Sequence, residues 1–265
     1  MLDTKFIREH AEEVKENIKN RHTKAADVDA FVVLDGQRRD LLQRVEAMKN
    51  ERNTVTKEIS QLKRNKENAD DKIAAMKKLG DDIDALDKEV KKVEADMLSI
   101  QLMIPNMCHP SVPVGKDDSE NPEVRKWGQL PTFDFQPLNH WDVGENLGIL
   151  DSERAAKVTG ARFYYYIGAG ARLERAVYNF MLDQHTQKDG YTEVIPPYIV
   201  NRESMTGTGQ LPKFYEDMYR LNVEGEEMYM IPTAEVPLTN YYRGEIIDGA
   251  KLPVYFTALT PCFRA

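Results

Sequence analysis

Four short stretches of the 265-residue chain carry side chains that could do chemistry. After Pro232, Thr233-Ala234-Glu235 sets a hydroxyl and a carboxylate two residues apart, a pair suited to a small ligand with an ammonium group. Side-chain alternation along an extended backbone predicts Thr233 and Glu235 on one side and Ala234 on the other. The ordinary alternative is turn or cap chemistry after a proline. Arg264 offers a planar fork that can hold a phosphate or a carboxylate at two points, against the plain alternative of a surface ion pair. Met205 to Phe214, with Gly207, Thr208, Gly209 and Gln210 at its centre, reads as a flexible glycine loop. Glycine permits the backbone change by which such a loop closes over a ligand. Finally, seven basic residues between Lys57 and Lys78 stand against four acids, in a chain of net charge −8. They form either a solvated helix face or a phosphate-seeking patch on an otherwise repulsive body.

Other chemistries find little support. Gly168 and Gly170 precede a helical segment, but Leu173 stands where a dinucleotide fingerprint needs its third glycine, and no βαβ pattern surrounds it. The five histidines show no metal-ligand spacing, so no resident metal is expected. Cys108 and Cys262 form no CxxC pair and point to a reducing compartment. The chain starts without a segment of signal-peptide form, and no apolar run is long enough to span a membrane. A cytoplasmic protein without a membrane partner is expected.

The basic patch needs a scaffold, and the apolar pattern supplies one. From Met76 through Leu79, Ile83, Leu86, Val90, Val93, Met97 and Ile100 to Ile104, apolar residues alternate at spacings of three and four. Upstream, Leu34, Leu41, Met48, Val55 and Leu62 fall seven apart, with Phe31, Val45 and Ile59 interleaved. Such seams predict a coiled coil. The polar turn from Asn65 to Asp71 joins them into a hairpin of antiparallel helices whose basic residues lie at the tip. Each helix would be on the order of 45 Å long at about 1.5 Å per residue. Arg38, Arg52 and Lys66 fall on seam positions, where their long stems can cover apolar surface. Residues 1–20 predict one amphipathic helix capped by Asp3, and Asp27 or Asp29 starts the first arm helix. Pro105 stops the second.

The domains expected are thus a helical unit at 1–104, a Pro- and Gly-rich connector at 105–138 and an α+β unit at 139–265. In the last, Leu150 to Val158 predicts a helix ended by Gly160, and Ala171 to Lys188 a longer one with an apolar face at Leu173, Ala176, Val177, Phe180 and Met181. Residues 161–167, 191–195, 228–231 and 252–259 read as strands. The third of these leads into Pro232, and the second stops at Pro196-Pro197, since proline cannot donate to a ladder.

With these residues in hand, the chain resembles the seryl-tRNA synthetases of bacterial type. The resemblance runs from the helical arm through Ser111-Val-Pro-Val-Gly115, Gly160-Ala-Arg-Phe163 and Ala171-Arg-Leu-Glu-Arg-Ala176. It continues through Gly207-Thr-Gly-Gln-Leu-Pro212, Ile231-Pro-Thr-Ala-Glu235 and Cys262-Phe-Arg264. It implies an antiparallel two-helix coiled-coil arm followed by part of a class II synthetase antiparallel-sheet catalytic domain. The reaction implied is activation of serine with ATP to seryl-adenylate, then transfer to tRNA(Ser). By resemblance, Thr233, Ala234 and Glu235 contact serine, Gly207 to Gln210 form a serine loop, and Arg264 and Ala265 contact ATP, with Arg264 catalytic. Lys63, Arg64, Lys72 and Lys77 at the arm tip meet tRNA. Pro196 and Pro197, in a segment similar to motif 1, sit at a homodimer interface. Mg2+ is implied as the companion of ATP, its ligands lying in parts of the family pattern that this chain does not contain. Phe263-Arg264-Ala265 matches only the start of motif 2, and motif 3 has no counterpart here. The expectation is therefore a fragment that does not form the adenylate alone. The alternative is a non-catalytic coiled-coil RNA-binding or scaffold protein on the same fold.

Overall fold

Aspartates start the first helices. In the computed structural model, which describes residues 1–23 and 26–265, the Asp3 carboxylate accepts from the backbone N–H groups of Lys5 and Phe6. Asp27 does the same for Ala30 at 2.8 Å, so of the two proposed start signals it is the cap. Residues 1–20 are two helices rather than one, α1 (Thr4–Glu9) and α2 (Ala11–Asn20), because the backbone leaves helical geometry at His10. The arm helices follow as α3 (Val28–Arg64) and α4 (Asp70–Gln101). At about 1.5 Å per residue, α3 is roughly 55 Å long. The pairs Arg38–Glu94, Lys49–Asp87 and Lys72–Glu58 rise in number on one helix as they fall on the other, which fixes an antiparallel hairpin.

The chain divides into two compact units, Met1–Lys126 and Trp127–Ala265. In the N-terminal unit, Ile7, Val14 and Ile18 of α1 and α2 pack with Val28, Phe31, Leu41 and Val45 of α3 and with Val90, Val93 and Met97 of α4. The apolar seam read from the sequence is the buried face. Past Val45, however, no α3 side chain is buried, although Ile83 of α4 opposite that stretch still is. Lys66 is not a seam residue: α3 ends at Arg64, and Lys66 sits in the turn with φ 59°. Arg38 lies across the seam edge with Nε 2.9 Å from Glu94, whereas Arg52 is exposed. Helix α4 runs unbroken through Gly80.

The C-terminal unit begins its regular structure with α5 (His140–Asn146), β1 (Leu150–Asp151), α6 (Ser152–Thr159) and β2 (Tyr165–Tyr166). The helix expected at Leu150 starts two residues later because Leu150 and Asp151 pair with Tyr166 and Tyr165. Next come α7 (Ala169–Asp183), prolonged by a π-helical turn to Lys188, then β3 (Thr192–Glu193), β4 (Ile199–Asn201) and α8 (Arg202–Gly207). The last elements are β5 (Arg220–Val223), β6 (Glu226–Met230), α9 (Glu235–Thr239) and β7 (Phe256–Thr257). Strands β4, β6 and β5 form an antiparallel sheet in that order. Its hairpin turns at Glu224-Gly225, both at positive φ, the geometry that matches strand twist in a two-residue turn. Strands β3 and β7 pair in parallel. A second core gathers Val200, Met205, Leu211, Met218, Tyr229, Ile231 and Val236 around this sheet. Among the described residues, no helix is long and apolar enough to cross a membrane.

Candidate functional site

The end of β6 organises the site. Ile231 donates to the Tyr198 carbonyl and accepts from the backbone N–H of Phe263, and Ala265 donates to the Asp217 carbonyl at 3.0 Å. These bonds lay Phe263-Arg264-Ala265 beside Pro232-Thr233. A cavity of about 420 Å³ results, lined by Gln210, Phe214, Asp217, Thr233, Arg264 and Ala265 among others. Three residues from separate stretches of the sequence, Gln210, Thr233 and Arg264, thus meet around one space. A neighbouring cavity of about 660 Å³ shares Arg264 and Ala265.

Other candidates stand elsewhere. Ala234 and Glu235 do not line either cavity. The extended alternation expected for Thr233 to Glu235 is replaced by a helix start: Ala234 is in the right-handed helical region, and the Thr233 hydroxyl accepts from the Glu235 N–H at 3.2 Å. Cap chemistry after Pro232, the ordinary alternative, describes the backbone here. Nor is Met205 to Phe214 an unconstrained loop. Its first residues complete α8, whose last residue, Gly207, lies so close to Asn240 that a Cβ would meet Oδ1 at 2.9 Å. The Asn240 amide in turn donates to the carbonyls of Ser204 and Val236. Gly209 holds φ 76°, and the N–H groups of Gln210 and Leu211 return to the Met205 carbonyl. Thr208 caps back onto Ser204. Pro196 is buried and Pro197 exposed. On α7, Leu173, Val177, Phe180 and Met181 leave their apolar face uncovered.

The far end of the glycine segment is tied by a cluster that has no signature in the sequence. Glu227 on β6 accepts from Tyr215 at 2.8 Å, from Tyr229 at 2.5 Å and from Arg202 at 2.6 Å, while Arg220 stacks on the Tyr215 ring at 4.3 Å. Arg202 opens α8 and Tyr215 follows Phe214, so one carboxylate holds both ends of the segment that delivers Gln210. The bonds from Tyr229 and Tyr215, followed by Arg202, hold the Glu227 carboxyl below its usual range. Burial first, and then the bond to Glu227, push the Tyr229 phenol up to about 12 from 10.0. A phenol raised in the folded state gives stability that is complete below the unfolded value and is lost as pH climbs through the folded one. Unfolding midpoints of the C-terminal unit in urea are therefore expected to fall between pH 10.0 and about 12. Tyr229→Phe should flatten that fall; an equally steep decline in the variant would count against it.

At the arm tip, Lys63, Arg64, Lys72 and Lys77 are all exposed. Lys72 is engaged by Glu58 at 2.5 Å, whereas among the described residues no carboxylate lies within 4.0 Å of Lys63, Arg64 or Lys77.

Comparison with known proteins agrees with this geometry. Residues 1–108 match the family described as seryl-tRNA synthetase N-terminal domain. Over all 265 residues the chain is 56% identical to a serine–tRNA ligase of Carboxydothermus hydrogenoformans and 51% identical to one of Desulforapulum autotrophicum. It spans 62% and 61% of the length of these relatives. The whole chain also superposes on a seryl-tRNA synthetase of Pyrococcus horikoshii complexed with ATP, at 36% identity and a TM-score of 0.83, covering 63% of that chain. A cytoplasmic serine–tRNA ligase of Naegleria fowleri in complex with AMP superposes at 26% identity and a TM-score of 0.73, with 65% of it covered. Arm, sheet and order of motifs are thus similar to the part of these seryl-tRNA synthetases that the chain spans, and its first 108 residues match their N-terminal domain.

Proposed function

We propose that the chain provides the tRNA-binding arm and part of the serine and ATP site of a serine–tRNA ligase. The observation that carries this reading is the meeting of Gln210, Thr233 and Arg264 around one cavity. In the reaction, the serine carboxylate attacks the α-phosphate of ATP and pyrophosphate leaves; the seryl group then passes to the 3′ end of tRNA(Ser). Such chemistry needs positioning and charge stabilisation more than covalent help. Thr233 and Gln210 can hydrogen-bond a small polar amino acid, and the Arg264 fork can hold a carboxylate or phosphate. Among the described residues, no three His, Cys, Asp or Glu side chains gather where a metal could sit. The Mg2+ that accompanies ATP is implied by the resemblance alone, and no step is routed through it. The uncovered apolar face of α7 supports a homodimer interface.

Ala234 and Glu235, outside the cavity, favour the second reading of a non-catalytic RNA-binding protein. Equilibrium dialysis with labelled serine, run beside filter binding of tRNA, separates the two. The wild-type chain is expected to bind both, and Thr233→Ala to weaken serine by about 3- to 10-fold, the effect of one lost hydrogen bond. Binding of tRNA without serine would favour the second reading, and binding of neither would remove both.

A further inference from the structure

Glu227 lines neither of the two cavities, yet the segment that carries Gln210 begins and ends at its carboxylate. Its strand makes it a firm anchor, because β6 is the central strand of its sheet, paired with β4 on one side and β5 on the other. Residues two apart on a strand share a face, so Tyr229, which is fully buried, braces the carboxylate from β6 itself. Opposite Tyr229 on β5 stands Arg220, whose guanidinium covers the Tyr215 ring. Tyr215 is therefore fixed at its hydroxyl by β6 and at its ring by β5. Arg202, at the other end, reaches both Glu227 and Tyr229, at 2.6 and 3.0 Å. Its guanidinium also lies 6.0 Å from the centre of the Tyr215 ring, so the two ends meet each other as well as the strand. Between them, Met205 and Leu211 are buried in the second core, while Gly207 and Gly209 are exposed and Gln210 is half-buried. A loop packed on its own side chains keeps one shape while its ends stay together. Once the ends part, it takes many shapes, and only a fraction of them presents Gln210 to the smaller cavity. Affinity for a ligand that needs Gln210 falls by that fraction.

We infer that Glu227 is a positioning residue for serine: by holding Arg202 and Tyr215 together it fixes the shape of residues 202–215, and with it the place of Gln210. It acts through those two side chains and touches no ligand itself. The inference rests on the reading of Gln210 as a serine contact and adds the group that keeps Gln210 in place.

Equilibrium dialysis of the full 265-residue chain with labelled serine tests the inference. Glu227→Ala is expected to weaken serine by roughly tenfold or more, since both ends of the segment are released. Glu227→Gln keeps the reach and one acceptor oxygen, and its affinity should fall between the two. Tyr215→Phe removes one hydroxyl, leaves the ring under Arg220 and should weaken serine by about threefold; should the alanine variant not fold, it decides alone. Hydrogen exchange at the Gln210 and Leu211 amides, which bond to the Met205 carbonyl, should quicken in Glu227→Ala and Tyr215→Phe. Val200→Ala separates positioning from stability, because it trims a buried side chain of the same core and makes none of the bonds to Glu227. It should lower the midpoint of unfolding in urea and leave serine affinity unchanged. Serine affinity or Gln210 exchange that is unaltered in Glu227→Ala overturns the inference. So does a loss of serine in Val200→Ala equal to that in Glu227→Ala, since general destabilisation then accounts for both. In each of these cases serine binding by the wild type leaves the proposed function standing, whereas a wild-type chain that binds no serine removes the two together.

Discussion

Joint replacement of Lys63, Arg64 and Lys77 by alanine is expected to weaken tRNA binding by on the order of 30- to 100-fold at low salt, and to make the dependence of log K on log salt shallower by about 2 to 3. The expectation follows from where these charges stand. All three lie at the exposed end of the α3–α4 hairpin, and among the described residues none has a carboxylate within 4.0 Å. Each can meet a phosphate without first releasing a partner. Lys72 differs, because Glu58 holds it, and Lys72→Ala should cost less than any of the other three alone. Double-stranded RNA offers mainly shape, 2′-hydroxyls and phosphates to a protein surface, so an arm that presents charge on a stiff support suits it. Filter binding over a salt series measures both quantities. Unchanged affinity and slope in the triple variant would mean that the basic tip is only a solvated helix face.

Phe31→Ala is expected to destabilise the N-terminal unit by about 3–5 kcal/mol, and Leu62→Ala by about 1 kcal/mol or less. Both residues belong to the same apolar seam, yet Phe31 is fully buried where α1, α2, α3 and α4 meet, and Leu62 is half-buried near the tip. Truncation at Phe31 leaves a cavity that the surrounding elements cannot close. Truncation at Leu62 leaves surface that water already reaches. Loss of helical circular dichroism in urea, followed for each variant, reads the difference. Equal shifts would mean that the coiled coil is stabilised evenly along its length.

The contrast also shows what the sequence made legible. Helical periodicity is a short-range property, so the arm, its turn and its apolar seam could be read from spacings of three and four. The cap at Asp3 was legible for the same reason, and the start of α3 was narrowed to Asp27 or Asp29, since such a carboxylate reaches only two or three residues ahead. Contacts that join distant segments were not. Asp35 looks like one more charge on a solvated helix, but it is 1% exposed and paired with Arg8 of α1 at 2.9 Å and with Arg39 at 3.3 Å. Nothing near Asp35 in the sequence announces Arg8. Glu227 reads as a surface glutamate in a strand, and its role emerges only when β6 brings Tyr229, Tyr215 and Arg202 around it. Strands were read too long for a related reason. The run from Ala161 to Ile167 has strand-forming residues throughout, yet only Tyr165 and Tyr166 find partners, because β1 offers two residues to pair with. At the site, resemblance pointed to Thr233, Gln210 and Arg264, which the fold brings together.

Asn17 gives the base of the arm a mechanical property. Its side-chain amide donates to the Asn106 carbonyl at 3.2 Å and accepts from the Cys108 N–H at 2.9 Å, while Arg21 adds a third bond to Asn106. The backbone just beyond α4 is thereby stitched to α2, close to where the family match ends at residue 108. Tension arriving along the chain from beyond Cys108 loads these bonds before it reaches α4. They share that load side by side, as rivets do in shear, rather than parting one after another like a zip. The joint thus clamps the exit of the hairpin to α2, beside the apolar core that holds α1 and α2 against α3 and α4.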